Sequence, residues 1–206
     1  MSRADTAVIL DFETSGLSPD SGDRAIEIGA VKIVEGKVTE RFQSLINPDM
    51  YISSFIEDYT GITNAELKNA PTSEHVMSQF ANFIEGFNLI AHNASFDKRF
   101  LDAELARISR SYAGEFTCSL LAARRIYQDA PNHRLGTLVD YIGLPSDGTF
   151  HRALYDSEMT AKVWLAMLSD IQEQFALEAI PFSLMKKLNK TAKKSVRDFL
   201  VKAGAA

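Results

Sequence analysis

The first strongly patterned stretch of the chain is Thr6-Ala7-Val8-Ile9-Leu10-Asp11-Phe12-Glu13-Thr14, short, rich in β-branched residues and closed by Ser15-Gly16. It predicts a buried strand whose period of two puts Asp11 and Glu13 on one face. Ala25–Val34 predicts a second strand, Glu35-Gly36-Lys37 a turn, and Val38–Ile46 a third strand ended by Asn47-Pro48, together an antiparallel meander. Val76, Met77, Phe80, Phe83 and Ile84 share one stripe of a helix over 72–84, with Thr72 as its cap. Asn88–His92 then reads as a short strand, Ser95–Ile108 as a helix, Phe116–Ser119 as another strand, and Leu135–Ile142 and Ala153–Ile171 as helices. Strands first, then strands alternating with helices, predict an α/β sheet with helices packed on it. Beyond Pro181, Leu184, Leu188, Ala192, Val196, Phe199 and Leu200 recur at steps of three or four. They predict one amphipathic helix over 182–201 with a polar face mostly of Lys and Arg.

Composition adds bounds to this picture. The 206 residues, 46% hydrophobic and 24% charged, suffice for one core with a terminal appendage. The apolar stretch at 7–10 is too short for a signal peptide and no run reaches membrane-spanning length, so a cytoplasmic protein with no membrane partner is expected. Cys118, the single cysteine, has no intrachain partner and is expected in the core. The histidines His75, His92, His133 and His151 show no zinc-type spacing with it. Charge is uneven: residues 181–206 hold seven Lys/Arg against Asp198, a net of +6, while the whole chain carries −5 and residues 1–180 therefore −11. An acidic body does not attract nucleic acid, whereas a metal site or a basic extension supplies attraction locally.

The acids carry the candidate chemistry. Two carboxylates on one face of a buried strand repel, and a divalent cation is one way to compensate them; the oxygen-only donor set favours Mg²⁺ or Mn²⁺ over zinc. The alternative is that one acid caps a turn and the other faces solvent. In His92-Asn93-Ala94-Ser95-Phe96-Asp97 a strand ends and a helix begins, so Asp97 lies at the carboxyl edge of the sheet, where α/β proteins build sites. Alone, it is equally a first-turn acid favoured by the helix dipole. His151-Arg152-Ala153-Leu154-Tyr155-Asp156 is again a loop entering a helix.

Taken together, the three segments resemble the DEDDh 3'-5' exonuclease family, which includes the proofreading epsilon subunit of the bacterial replicative polymerase and ribonuclease T. The motif Asp-x-Glu-Thr-x-Gly-Leu is matched by Asp11, Glu13, Thr14, Gly16 and Leu17, and Asn-Ala-x-Phe-Asp by Asn93, Ala94, Phe96 and Asp97. His-x-Ala-Leu-x-Asp falls on His151, Ala153, Leu154 and Asp156. Ser15 and Ser157 stand where Thr and Ala are commoner. The resemblance spans about residues 6–172 and implies a ribonuclease H-like fold, a five-stranded mixed sheet flanked by helices. It divides the chain into an exonuclease domain over 1–175 and a basic C-terminal helical extension over 176–206.

The same resemblance implies that Asp11, Glu13, Asp97 and Asp156 gather two Mg²⁺ or Mn²⁺ ions, with Asp11 between them and His151 as general base. Two ions ~3.5 to 4 Å apart serve the entering and departing oxygens of an in-line displacement, and the product is a nucleoside 5'-monophosphate. Thr14 and the Gly16-Leu17 backbone are implied to hold the terminal 3' hydroxyl, with Leu17, Ile62 and Phe96 against the last bases and sugar. Ordinary core positions are the alternative for Leu17, Ile62 and Phe96. His92 either orients the Asp97 loop or touches the substrate, or is a satisfied structural histidine. Lys98, Arg99 and Arg152 are candidate phosphate contacts or plain surface charge. The expected substrate is nucleic acid with a free, preferably single-stranded 3' end, DNA in a proofreading role, with a DNA polymerase or a second copy as a possible partner. Trimming of RNA or short oligonucleotides, and a non-catalytic polymerase-bound subunit, are the rival readings; the presence of His151 beside the four acids argues against the latter.

Overall fold

The computed structural model describes residues 2–147 and 152–204. One five-stranded sheet forms, in the order β3 (Lys37–Leu45), β2 (Ala25–Val34), β1 (Ala7–Thr14), β4 (Leu89–Ala91), β5 (Phe116–Cys118). The β1, β2 and β3 pairings are antiparallel, as the meander predicts, whereas β4 pairs with β1 and β5 in parallel. The sheet is therefore mixed: the helical segment between β3 and β4 makes the return that sets β4 parallel to β1, and the helix Ser95–Arg107 makes the crossover from β4 to β5.

Alternation along central β1 sorts its side chains between two cores. Val8, Leu10 and Phe12 pack with residues of α3 (Ser73–Phe83) and α4 (Ser95–Arg107). Ala7 and Ile9 pack on the other side with Met159, Ala161, Val163 and Trp164 of α7 (Ala153–Phe175). Asp11 and Glu13 continue the Ala7 and Ile9 row, so the α7 face of the sheet turns from hydrocarbon to carboxylate near its carboxyl edge. Cys118 is buried with a free thiol, as expected.

Three short helices escape the periodicity of the sequence: α1 (Ser54–Thr60), α2 (Asn64–Asn69) and α5 (Ser119–Ile126). One or two turns give a stripe too few positions to repeat. Their ends are nevertheless written in the residues. Ser53 accepts the Ile56 N–H, and Thr63 and Glu66 form a reciprocal capping box. α6 (Leu135–Ile142) follows α5, as its pattern predicts.

The extension departs from the single helix expected over 182–201. It forms α8 (Phe182–Leu188), a turn, and α9 (Val196–Gly204). Asn189 breaks the helix by giving its amide N–H groups to Thr117 Oγ1 at 2.9 Å and the Cys118 carbonyl at 3.0 Å. The turn lets both short stripes reach one core: Phe182, Met185, Leu188 and Leu200 are fully buried with Trp164 and Met167. The chain start closes the same corner, with the Ala4 N–H on the Ile180 carbonyl, the Phe182 N–H on Ser2, and the Trp164 indole on Ala4.

Candidate functional site

The carboxyl edge of β1 gathers acids from three elements. Oxygens of Asp11, Glu13 and Asp156 lie within 4.8 Å of one another. Two features of β2, neither singled out by the motifs, bring Asp156 there. Gly29 stands opposite Asp11 in the register, and a Cβ on it would lie 2.0 Å from the Leu154 nitrogen. Only glycine admits the first turn of α7 this close to the sheet, and Ser157 Oγ then donates to the Gly29 carbonyl at 2.9 Å. Glu27, opposite Glu13, is fully buried and holds the helix start: its carboxylate accepts the Ala153 N–H at 3.2 Å and the Arg152 guanidinium at 3.0 and 3.2 Å. Gln43 donates to the same carboxylate at 2.9 Å. The sequence carried a signal for both residues, since an acid and a glycine interrupt the apolar first seven residues of the strand.

Asp97 enters from the first turn of α4. It is 2% exposed, and its Oδ1 accepts the Phe12 N–H at 3.2 Å, which fixes it against β1 between the two motif acids. Asn93 makes this turn possible by taking a left-handed φ of 71°, a conformation asparagine tolerates better than most residues.

Burial of so many like charges raises their proton affinity. Burial first, then Asp97, Glu13 and Asp156, hold Asp11 well above the usual carboxylate range. Glu13 is pushed up to about 8 by burial and then by Asp156, Glu27 and Asp97, with Arg152 opposing. Burial lifts Asp97 to about 7 against the favourable Phe12 N–H. Such a set lacks a positive charge at its centre, and hard oxygen donors at this spacing fit a divalent cation.

The remaining sequence-predicted residues fall into distinct environments. Thr14 is buried and donates to the Gly16 carbonyl at 2.6 Å, while Gly16 packs against the Asp23 carboxylate. Leu17 is 79% exposed and thus no core residue; its carbonyl accepts from Arg99 at 3.4 Å. Phe96 is half-buried, its ring 5.0 Å from Phe100. Ile62 departs from the expectation that it packs on terminal bases: at 2% exposure it is buried with Ile26, Ile52 and Leu67. The left-handed Gly61 that ends α1 turns Ile62 inward, and the exposed apolar groups of this segment are instead Phe55 and Tyr59, stacked 6.1 Å apart. His151 lies outside the described residues.

His92 lines the same cleft as Asp11 and Asp156, with both ring nitrogens engaged within the fold. The His133 carbonyl at 2.9 Å can only accept, so Nε2 carries the proton and Nδ1, 2.9 Å from Ser119 Oγ, accepts. Burial holds its pKa down at about 4, which keeps the ring neutral. Lys98 pairs with Asp102 and Arg152 with Glu27, so both cations have partners within the fold.

Asp11 and Asp156 form part of the wall of an open cleft of about 1130 Å³, also lined by Tyr59, Asn93, Arg124 and Arg134. The two arginines were not anticipated from the motifs. They come from α5, which leaves directly from the carboxyl end of β5, and from the start of α6.

This arrangement has relatives. The sequence profile of the RNase_T exonuclease family matches residues 8–164. The chain is 38% identical over 166 residues to a PolC-type DNA polymerase III of Caldanaerobacter subterraneus subsp. tengcongensis, covering 81% of this chain and 12% of that protein. It is 31% identical over 192 residues to the 3'-5' exonuclease DinG of Bacillus subtilis, covering 93% of this chain and 20% of DinG. The chain thus spans a fifth or less of the length of these relatives. Among solved structures, exonuclease X in complex with 5' overhanging duplex DNA superposes with a TM-score of 0.69 at 26% identity, over 89% of this chain and 99% of that one. With most of its length matched and its acids converging in the order of the motifs, the chain belongs to the RNase_T exonuclease family and is of the DEDDh type.

Proposed function

We propose that the chain is a divalent-metal-dependent 3'-5' exonuclease that removes nucleoside 5'-monophosphates from single-stranded DNA ends, in a proofreading or repair setting in the cytoplasm. The observation that carries this reading is the convergence of Asp11, Glu13 and Asp156 within 4.8 Å, beside Asp97, on an open cleft. Asp11, Glu13, Asp97 and Asp156 would hold Mg²⁺ or Mn²⁺. When bound, two such ions supply charge neutralisation for both the attacking and the leaving oxygen of a phosphodiester.

The chain's own residues do the rest. Thr14 and the backbone at Gly16 and Leu17 hold the terminal 3' hydroxyl at the end of β1. Leu17 and Phe96, and Tyr59 at the cleft wall with Phe55 stacked on it, offer apolar surface to splayed bases, a mode tolerant of sequence. Arg124 and Arg134 contact the phosphates. His151 accepts the proton of the attacking water, a role suited to a group that is neutral near physiological pH. The kinship with PolC-type polymerases and DinG supports DNA as the substrate and a replication or repair assembly as the partner.

The test is a time course on 5'-labelled single-stranded DNA, single-stranded RNA and mismatched duplex with Mg²⁺ or Mn²⁺. A one-nucleotide ladder from the DNA 3' end is the expected result. A ladder on RNA alone replaces the substrate, and internal fragments or full activity in excess EDTA overturn the mechanism.

A further inference from the structure

The basic extension, outside the matched segment 8–164, is not a free tail. Its apolar side chains are buried against α7, so its cations are held outward in a fixed arrangement. Lys187, Lys190, Lys193, Lys194 and Arg197 are all exposed. Among the described residues none of the five enters an ion pair; only Lys186, facing Glu115, does so within the extension. The one acid on the adjoining α7 wall, Asp170, is engaged by the Tyr127 hydroxyl at 2.6 Å.

The Lys193, Lys194 and Arg197 part of this basic surface is joined to the catalytic cleft by α5, while Lys187 and Lys190 line a neighbouring groove with Lys186 and Glu115. Arg124 lines the cleft. Its neighbour Arg125 donates to the Thr191 carbonyl of the extension at 3.1 Å, and Gln128 to the Lys193 carbonyl at 3.2 Å. Arg125, Lys193, Lys194 and Arg197 line a second groove of about 320 Å³ on this side of the helix. Cleft and groove are therefore two flanks of one helix. A helix is ~10–12 Å across, so a strand leaving the cleft reaches the groove within a few nucleotides.

We propose that Lys187, Lys190, Lys193, Lys194 and Arg197 form a sequence-independent track for the sugar-phosphate backbone of the substrate strand several nucleotides upstream of the 3' end. The proposal rests on the nucleic-acid substrate argued above. It explains how a chain with −11 on its first 180 residues holds a polyanion: attraction is concentrated where the strand leaves the acid-lined cleft. Because the contacts are lysines to phosphate, they add affinity and salt dependence without base preference.

The experiment measures binding of fluorescent single-stranded DNA of 3 and 20 nucleotides in EDTA, across a salt series, for wild type and for Lys187→Gln/Lys190→Gln/Lys193→Gln/Lys194→Gln. For the 20-mer, the slope of log K against log salt should fall by roughly 3, at ~0.7 per lost contact on a single strand. Trimer binding should not change, and the matching Lys→Arg quadruple variant should retain the wild-type slope. An unchanged 20-mer slope in the Gln variant overturns the track and leaves the surface to another partner, such as an acidic protein face. Equal weakening of trimer and 20-mer also overturns it. The wild-type ladder assay judges the exonuclease reading separately, so failure of one does not read as failure of the other.

Discussion

The two ends of the molecule treat charge in opposite ways. At the carboxyl edge of β1, acids are drawn inside and set against one another, with Glu13 8% and Asp97 2% exposed. In the extension, hydrocarbon goes inside and every unpaired lysine faces water. The first arrangement costs folding energy, because buried like charges lose hydration while repelling one another. The second costs almost nothing, since the apolar stripe stabilises the fold and the exposed cations stay solvated. A site that costs energy is kept only where chemistry needs it, so the acid edge marks the reacting centre and the lysine face at most a binding surface.

The sharpest break of that contrast is at the acids. Asp11→Ala or Asp156→Ala should reduce hydrolysis by ~10³-fold or more, the equivalent of several kcal/mol of transition-state stabilisation. The metal-free variant should melt at or above the wild-type temperature, because one repelling charge is gone. Calorimetry in EDTA beside the ladder assay tests both halves, and a variant that is inactive but also much less stable contradicts the account.

Next in size is Gly29→Val. With the Leu154 backbone 2.0 Å from the position of a Cβ, the new side chain must push α7 off the sheet. We expect a loss of ~3 kcal/mol or more, as for severe overpacking, with activity falling in parallel as Asp156 retreats from Asp11. Urea denaturation reads the first and the oligonucleotide assay the second.

Leu188→Ala probes the other region. Leu188 is fully buried in the core shared with α7, so its truncation should cost ~2–5 kcal/mol in urea denaturation. Wild-type stability would mean that the extension does not pack as described.

A smaller effect is the pH dependence of the metal-free protein. Folding raises Glu13 to about 8 and Asp97 to about 7. A carboxyl raised by folding binds its proton more tightly in the folded state, so its contribution to stability is complete below the unfolded value near 4 and is lost as pH rises through 7 to 8. The melting temperature in EDTA should therefore decline from pH 5 to 8.5. Saturating Mn²⁺ should reduce the decline, since a bound cation displaces the protons. The smallest effect belongs to Lys194→Gln, an exposed side chain whose loss should change stability by no more than ~0.5 kcal/mol.

Much of this contrast is legible in the sequence. The strand period that pairs Asp11 with Glu13, the meander, and the motifs around Asp97 and Asp156 all rest on local pattern, and local pattern survives folding. The short helices α1, α2 and α5 are less visible because one or two turns give a periodic signal too few repeats. The lysine-rich extension reads as one helix because its stripe keeps step across Asn189, where side-chain bonds to Thr117 and Cys118 break it.

The sequence by itself thus determined the family, the sheet's central strand and the identity of the converging acids, because each is encoded within a few neighbouring residues. Only the tertiary structure decided that Gly29 and Glu27 seat the start of α7, that Ile62 is turned inward while Leu17, Phe55 and Tyr59 are exposed, and that Arg124 joins the acids at the cleft. Those outcomes depend on which strands become neighbours and how closely a helix can approach them, distances between residues far apart in the chain that no local period records.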